Sequence, residues 1–252
     1  MLRSVLAATA AAVITGMPAP ASAQSADDIE FKLTPYIWIA WPEGDIETES
    51  GGGGNLPPIN ANFDDVSLAG VFSGSALAPF QRFGVFGDVS YYEIEAEKNI
   101  NIIGDLFVDG TLDVGGLKGM LNGYYRVYDN GRNSVDLLAG IHYLQADLDI
   151  NLVTPNRTIN GSIDDDWWDP VIGVRGEAAI SQHFGLEGFA FYGGFGVSSD
   201  ELYDLFAAAN VRFNDTFTAS LGWRWFTDKF SGDRLDYETS FSGPLAGLEF
   251  TF

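Results

Sequence analysis

From residue 30 onward, hydrophobic and polar positions alternate with period two, in blocks separated by turn residues. The clearest block is 217–226. Phe217, Ala219, Leu221, Trp223 and Trp225 share one face, and Thr218, Ser220, Gly222 and Arg224 share the other. Block 134–144 sets Val135, Leu137, Ala139, Ile141 and Tyr143 against Asp136, Gly140 and His142. Block 168–180 sets Ile172, Val174, Ala178 and Ile180 against Asp169, Gly173, Arg175 and Glu177. Block 117–127 sets Leu117, Leu121, Tyr125 and Val127 against Lys118, Asn122 and Arg126. A soluble sandwich alternates too, but it carries plentiful charge on its outside. Here the polar face is sparse, Gly-rich and marked by single Arg or Glu residues, as expected of the lumen of a small membrane barrel.

The connectors alternate in length. Short ones are expected at 79–82, 129–132, 181–183 and 214–216, and longer or more acidic ones around 49–65, 98–105, 152–166, 198–203 and 227–236. Nine connections predict ten antiparallel strands in an up-and-down transmembrane β-barrel, with short turns and both termini on the periplasmic side. Eight or twelve strands are the alternatives, because 93–113 reads either as one hairpin or as a frayed extension.

The ends of the chain carry their own signals. Residues 1–23 have a short basic start at Arg3, an apolar stretch over 5–17 and a small-x-small run at Ala21-Ser22-Ala23, which predicts an export signal. The barrel then occupies 24–252. At the other end Pro244, Ala246, Leu248, Phe250 and Phe252 alternate with Gly247, Glu249 and Thr251. Leu248, Phe250 and Phe252 are expected to form the strand that the barrel-assembly machinery recognises. Aromatics gather near strand ends: Trp41, Tyr91, Tyr92, Tyr143, Trp167, Trp168, Trp225 and Tyr237 toward the long connectors, and Phe80, Phe83, Tyr128, Phe184, Phe213 and Phe217 toward the short turns. Two interfacial girdles are expected from this placement.

Composition removes other classes. The 252 residues include no Cys, so disulfide scaffolds, zinc–thiolate sites and thiol nucleophiles are excluded. A formal charge of −22 argues against nucleic acid as a partner. Thirty glycines and 14% aromatics at a mean hydropathy of only +0.04 form an unusual combination. Much of the acid falls at the long-connector end, including Glu43, Asp45, Asp64, Asp65, Asp147, Asp149, Asp164, Asp165, Asp166, Asp200, Glu201, Asp204 and Asp236. These residues read as a solvated negative rim. Asp164-Asp165-Asp166 lacks calcium-loop spacing.

Alternation assigns Asp88, Lys118, Arg126, Asp136, His142, Arg175, Glu177, Glu187, Arg212, Arg224 and Glu249 to the interior. Buried charges must pair or be hydrated. Arg175 is expected to pair with Glu187, and Arg224 with Glu249. Neither His142, inside a strand, nor His183, in a short turn, is expected at the outer rim, where an omptin-type protease needs its groups. Ser90 and Ser220 are the serines considered for a hydrolase built on His142, and nothing in their spacing singles them out. Gly193-Gly194-Phe195-Gly196 is no nucleotide loop, because no helix follows. No catalytic, metal or cofactor set is expected.

The run Trp168-Asp169-Pro170-Val171-Ile172-Gly173-Val174-Arg175-Gly176 resembles a broad group of uncharacterised proteobacterial outer-membrane barrel proteins. Leu33-Thr34-Pro35-Tyr36-Ile37-Trp38, Gly193-Gly194-Phe195-Gly196-Val197, Arg212-Phe213-Asn214-Asp215, Leu221-Gly222-Trp223-Arg224 and Ser242-Gly243-Pro244 are similar to the same group. The resemblance implies fold and location and no established activity. Phe191 stands where members often have a polar residue, which implies a drier lumen. The expectation is therefore a porin-like, monomeric barrel in the bacterial outer membrane, meeting lipid and lipopolysaccharide, of structural or surface type, with an ion-paired, largely plugged lumen. A narrow channel for small solutes or anions is the alternative, and an outer-membrane enzyme a weaker one.

Overall fold

The computed structural model describes residues 31–48, 59–62, 68–80, 82–102, 106–153, 158–232 and 235–252. The export signal and the Gly51–Gly54 run lie outside them. The strands are β1 (Lys32–Trp38), β2 (Trp41–Thr48), β3 (Ile59–Asn62), β4 (Leu68–Phe80), β5 (Phe83–Ile102), β6 (Leu106–Asp129), β7 (Asn133–Val153), β8 (Thr158–Ala179), β9 (Phe184–Gly194), β10 (Ser199–Arg212), β11 (Phe217–Ser231) and β12 (Leu235–Thr251). Every pairing is antiparallel, and from β4 to β12 each strand pairs with the next. β1 pairs with both β4 and β12, which closes the ring. β2 continues β1 along β12, and β3 continues β4 along β5. Among the described residues the wall is therefore ten strands around. At the seam Phe31 N–H donates to the Phe252 carbonyl (3.1 Å), and Phe252 N–H donates to the Phe31 carbonyl (2.8 Å).

Alternation sorts the wall into two faces. Ile37, Val85, Leu121, Leu137, Ile172, Leu186, Leu205, Leu221 and Leu248 are exposed outward. Their flanking residues Tyr36, Phe86, Leu138 and Phe206 point inward and are buried or half-buried, and Phe226 beside the exposed Trp225 does the same. Continuous apolar surface of this extent is unstable in water and is the lipid face of a membrane barrel. Aromatic rings bound it: Trp41 stacks on Trp223 (5.9 Å) and Tyr143 packs on Trp168 (4.6 Å) toward the long connectors, and Phe83 packs on Tyr125 (5.0 Å) toward the short turns. Trp167 and Tyr92 are corrections to the expected girdle. Both point inward and are buried, because their positions fall on the lumen side of the alternation.

Several expected loops are strand. β7 runs to Val153 and β8 begins at Thr158, so Asp164, Asp165 and Asp166 lie in β8. β5 continues through 98–102, and β10 begins at Ser199. A crossing strand needs about 9–11 residues. β5 to β8 have 20, 24, 21 and 22 residues, so they project beyond the lipid face at the long-connector end. Alternation continues there: Leu144, Ala146, Leu148 and Ile163 are buried while Asp149, Asp164 and Asp166 are exposed. A buried apolar row sustains pairing where the membrane has ended.

Glycine and aromatics are two halves of one packing device. A Cβ at Gly84 would overlap the Tyr124 ring, one at Gly116 the Tyr92 ring, and one at Gly173 the Phe191 ring. In these three cases an inward aromatic lies over a glycine on a neighbouring strand, so the ring packs inside without widening the wall. At Gly140 the obstacle is backbone: a Cβ would overlap the Leu121 carbonyl oxygen and come within 2.7 Å of Asn122 Cα. Gly140→Ala is expected to destabilise the barrel by about 1–3 kcal/mol. Gly123→Ala, where nothing lies within 4 Å, stays within about 0.5 kcal/mol. The temperature at which the folded gel form is lost in detergent checks both.

Candidate functional site: the charged lumen

The inward polar residues form two layers. Near the short turns, Arg126 grips Asp136 with two hydrogen bonds, Nε to Oδ1 at 2.8 Å and Nη2 to Oδ2 at 3.2 Å. Such a fork is stronger and more directional than a lysine contact. Arg175 reaches the same Asp136 at 3.5 Å and hydrogen-bonds Glu177. Lys32 lies 3.7 Å from both Glu177 and Glu249. Glu187 accepts a hydrogen bond from Ser220 Oγ at 3.2 Å.

The second layer sits deeper. Arg224 donates through Nε and Nη2 to Asp204 (2.8 and 2.5 Å) and through Nη1 to Asp88 (2.9 Å) and to the Tyr36 hydroxyl. Tyr36 in turn donates to Asp88 (2.7 Å). Lys118 completes the group with 3.1 Å to Asp204. Two cations thus meet two anions. Lys118 on β6 and Asp204 on β10 are four strands apart around the ring of ten, as are Arg224 on β11 and Asp88 on β5, so the contacts cross the lumen. Aromatic faces enclose the cations: Lys118 Nζ lies 4.2 Å from the Phe226 centroid, and Arg224 Cζ lies 5.4 Å from Trp38 and 5.3 Å from Phe189. Charge over aromatic faces adds about 0.5–2 kcal/mol when desolvated. A cavity of about 50 Å³ beside Arg224, Asp88, Phe86 and Phe206 has room for a few waters only.

The observed register corrects the Arg224–Glu249 pairing and places Glu187 diagonal to Arg175 rather than opposite it, still within electrostatic reach. Arg175 is opposite Asp136 on β7 and Phe189 on β9, while Glu187 is opposite Glu177. Arg224 is opposite Gly243, whereas Glu249 is opposite Thr218, six residues and about 20 Å down the strand. Arg212 is exposed at the end of β10, on the lumen side of the alternation, where it lines the mouth with Glu177, Glu187 and Glu249. Asp204, assigned from sequence to the acidic rim, is buried at the centre. Its alternation with Leu202 and Phe206, also inward, was the available signal. Tyr36 went unrecognised for want of any charge.

His142 is buried and stacks on Phe226 (5.5 Å). Neither ring nitrogen has a hydrogen-bond partner among the described residues, so neither Ser90 nor Ser220 is coupled to it. Farther out, Asp169 accepts hydrogen bonds from Ser198 N (3.2 Å), Ser199 N (2.9 Å) and Ser199 Oγ (2.6 Å), which ties the β9–β10 turn to β8. Trp167 Nε1 donates to Asp228 (3.1 Å).

The fold is that of the outer-membrane β-barrels. The outer membrane protease OmpT from Escherichia coli is similar at TM-score 0.61 and 11% identity, over 92% of this chain and 99% of that one. The translocator domain of the autotransporter NalP from Neisseria meningitidis is similar at TM-score 0.47 and 11% identity, over 99% and 96%. Ail from Yersinia pestis, in complex with a heparin analogue, is similar at TM-score 0.40 and 11% identity, over 89% and 99%. No family model matches the chain, and no curated protein matches it.

Removing one member of the deeper group leaves a buried charge uncompensated, which costs about 3–5 kcal/mol. Asp204→Asn is expected to lose that much in urea unfolding from detergent. Arg212→Gln, at an exposed end, should change stability by less than about 0.5 kcal/mol.

Proposed function

We propose that the protein is an outer-membrane barrel of structural or surface type whose lumen is closed to solutes. The observation that carries this reading is the balanced group Lys118–Asp204–Arg224–Asp88, which crosses the lumen and is buried at all four positions. A conducting pore keeps its charges hydrated along a wall. Here they are spent on one another, with Trp38, Phe189 and Phe226 packed over them. Small barrels are generally filled by side chains, and ten strands lie toward that end of the range. The reading is non-enzymatic: His142 is held against Phe226 without a nucleophile or an orienting carboxylate.

Planar-bilayer recording with refolded protein tests it. Flat traces are expected. Arg224→Ala is expected to lower the temperature at which the folded gel form is lost. Stepwise conductance of the wild type, with ion selectivity altered by Arg175→Ala and Arg224→Ala, would replace this reading with a narrow channel.

A further inference from the structure

We propose that the projecting part of β8, residues 158–167, is an open sheet edge that receives an extended basic segment of a partner protein by strand addition. β8 pairs with β7 along its whole length, from Val153↔Thr158 to Asn133↔Ala178. It pairs with β9 only from Val171 to Ala179. The β9–β10 hairpin is short, and its turn is fastened at the point where pairing stops: Asp169 holds Ser198 and Ser199, and Ser198 Oγ donates to the Trp168 carbonyl. Beyond that latch, no described residue pairs with the free side of β8. The exposed edge is about 33 Å long at the rise of a strand, enough for a partner strand of ordinary length.

Its charge specifies the occupant. Asp164 and Asp166 point outward and are exposed. The register places Asp164 opposite Asp147 and Asp149 opposite Asp113. Like charges directly opposed across strands are unfavourable. Among the described residues, no Lys or Arg ion-pairs with Asp147, Asp149, Asp164 or Asp166. A strand with Lys or Arg at alternate positions would set cations at the same two-residue spacing as these carboxylates while its backbone pairs with the edge. A second copy of this edge would bring acid against acid, the device by which edges resist self-association. Among the described residues, no three carboxylates or histidines converge to hold a metal ion.

The inference rests on the surface reading only in taking this end to face outward. The test uses the full-length barrel in lipid nanodiscs and a ten-residue peptide alternating Lys with Thr or Val. Saturable binding is expected, weakened at least tenfold by Asp164→Asn with Asp166→Asn, and weakened similarly when alternate peptide amides are N-methylated. Equal binding of the methylated peptide would reduce the edge to a diffuse negative surface and overturn the proposal. Absence of binding, or no loss in the double variant, would overturn it too. Labelling a tag inserted at residue 155 on intact cells tests the outward orientation separately. An unlabelled tag with intact peptide binding would sink the surface reading and leave the strand site standing.

Discussion

A charge in the narrow interior of a ten-stranded barrel is costly unless another charge or a hydrogen bond meets it. Arg224 is where this constraint is resolved. From one strand its guanidinium reaches Asp204 beside it, Asp88 across the lumen and the Tyr36 hydroxyl. A lysine could not serve three directions at once, because its ammonium is a single point on a flexible stem. With Lys118 present, two positive and two negative groups cancel. Aromatic rings can then pack over the group without isolating any of its four charges.

The same narrowness explains the pairing of glycine with aromatic residues. An inward ring needs space on the adjacent strand, and removal of a Cβ provides it, as Gly84 does for Tyr124 and Gly173 for Phe191. Abundant glycine and abundant aromatics at near-zero mean hydropathy are therefore one structural solution. Apolar side chains facing lipid average against buried charge inside and acid beyond the membrane.

Much of the wall was legible because period two is a strict rule in a sheet. The lipid-facing rows of β11 and β12 follow from Phe217 and Phe252 by counting in twos. Strand length was not legible to the same degree. Carboxylates at 164–166 read as loop, since acid suggests solvent, yet Ile163 beside them and Leu148 across the ladder are buried and sustain the sheet. Asp204 was lost to the same error. Partner choice was illegible for a different reason. It depends on register: two residues along β9 decide whether Arg175 stands opposite Phe189 or Glu187, while Asp136 faces it from β7 on the other side.

Strand continuation also changes what the net charge of −22 means. Carboxylates on a mobile loop separate and are solvated individually. Asp147 and Asp164 cannot separate: they are pinned opposite each other by a ladder that the buried Ala146, Leu148 and Ile163 row stabilises from behind. Gln145 Nε2 donates to both Asp147 oxygens (3.1 and 3.2 Å), and apolar burial on the reverse face offsets the repulsion that is left. Salt or an opposing cation relieves it at Asp164, which is exposed, so that screening is effective there. The negative end of the barrel is thus a rigid array with fixed spacing, and a rigid array can discriminate among cationic partners by geometry in a way that a solvated acidic loop cannot.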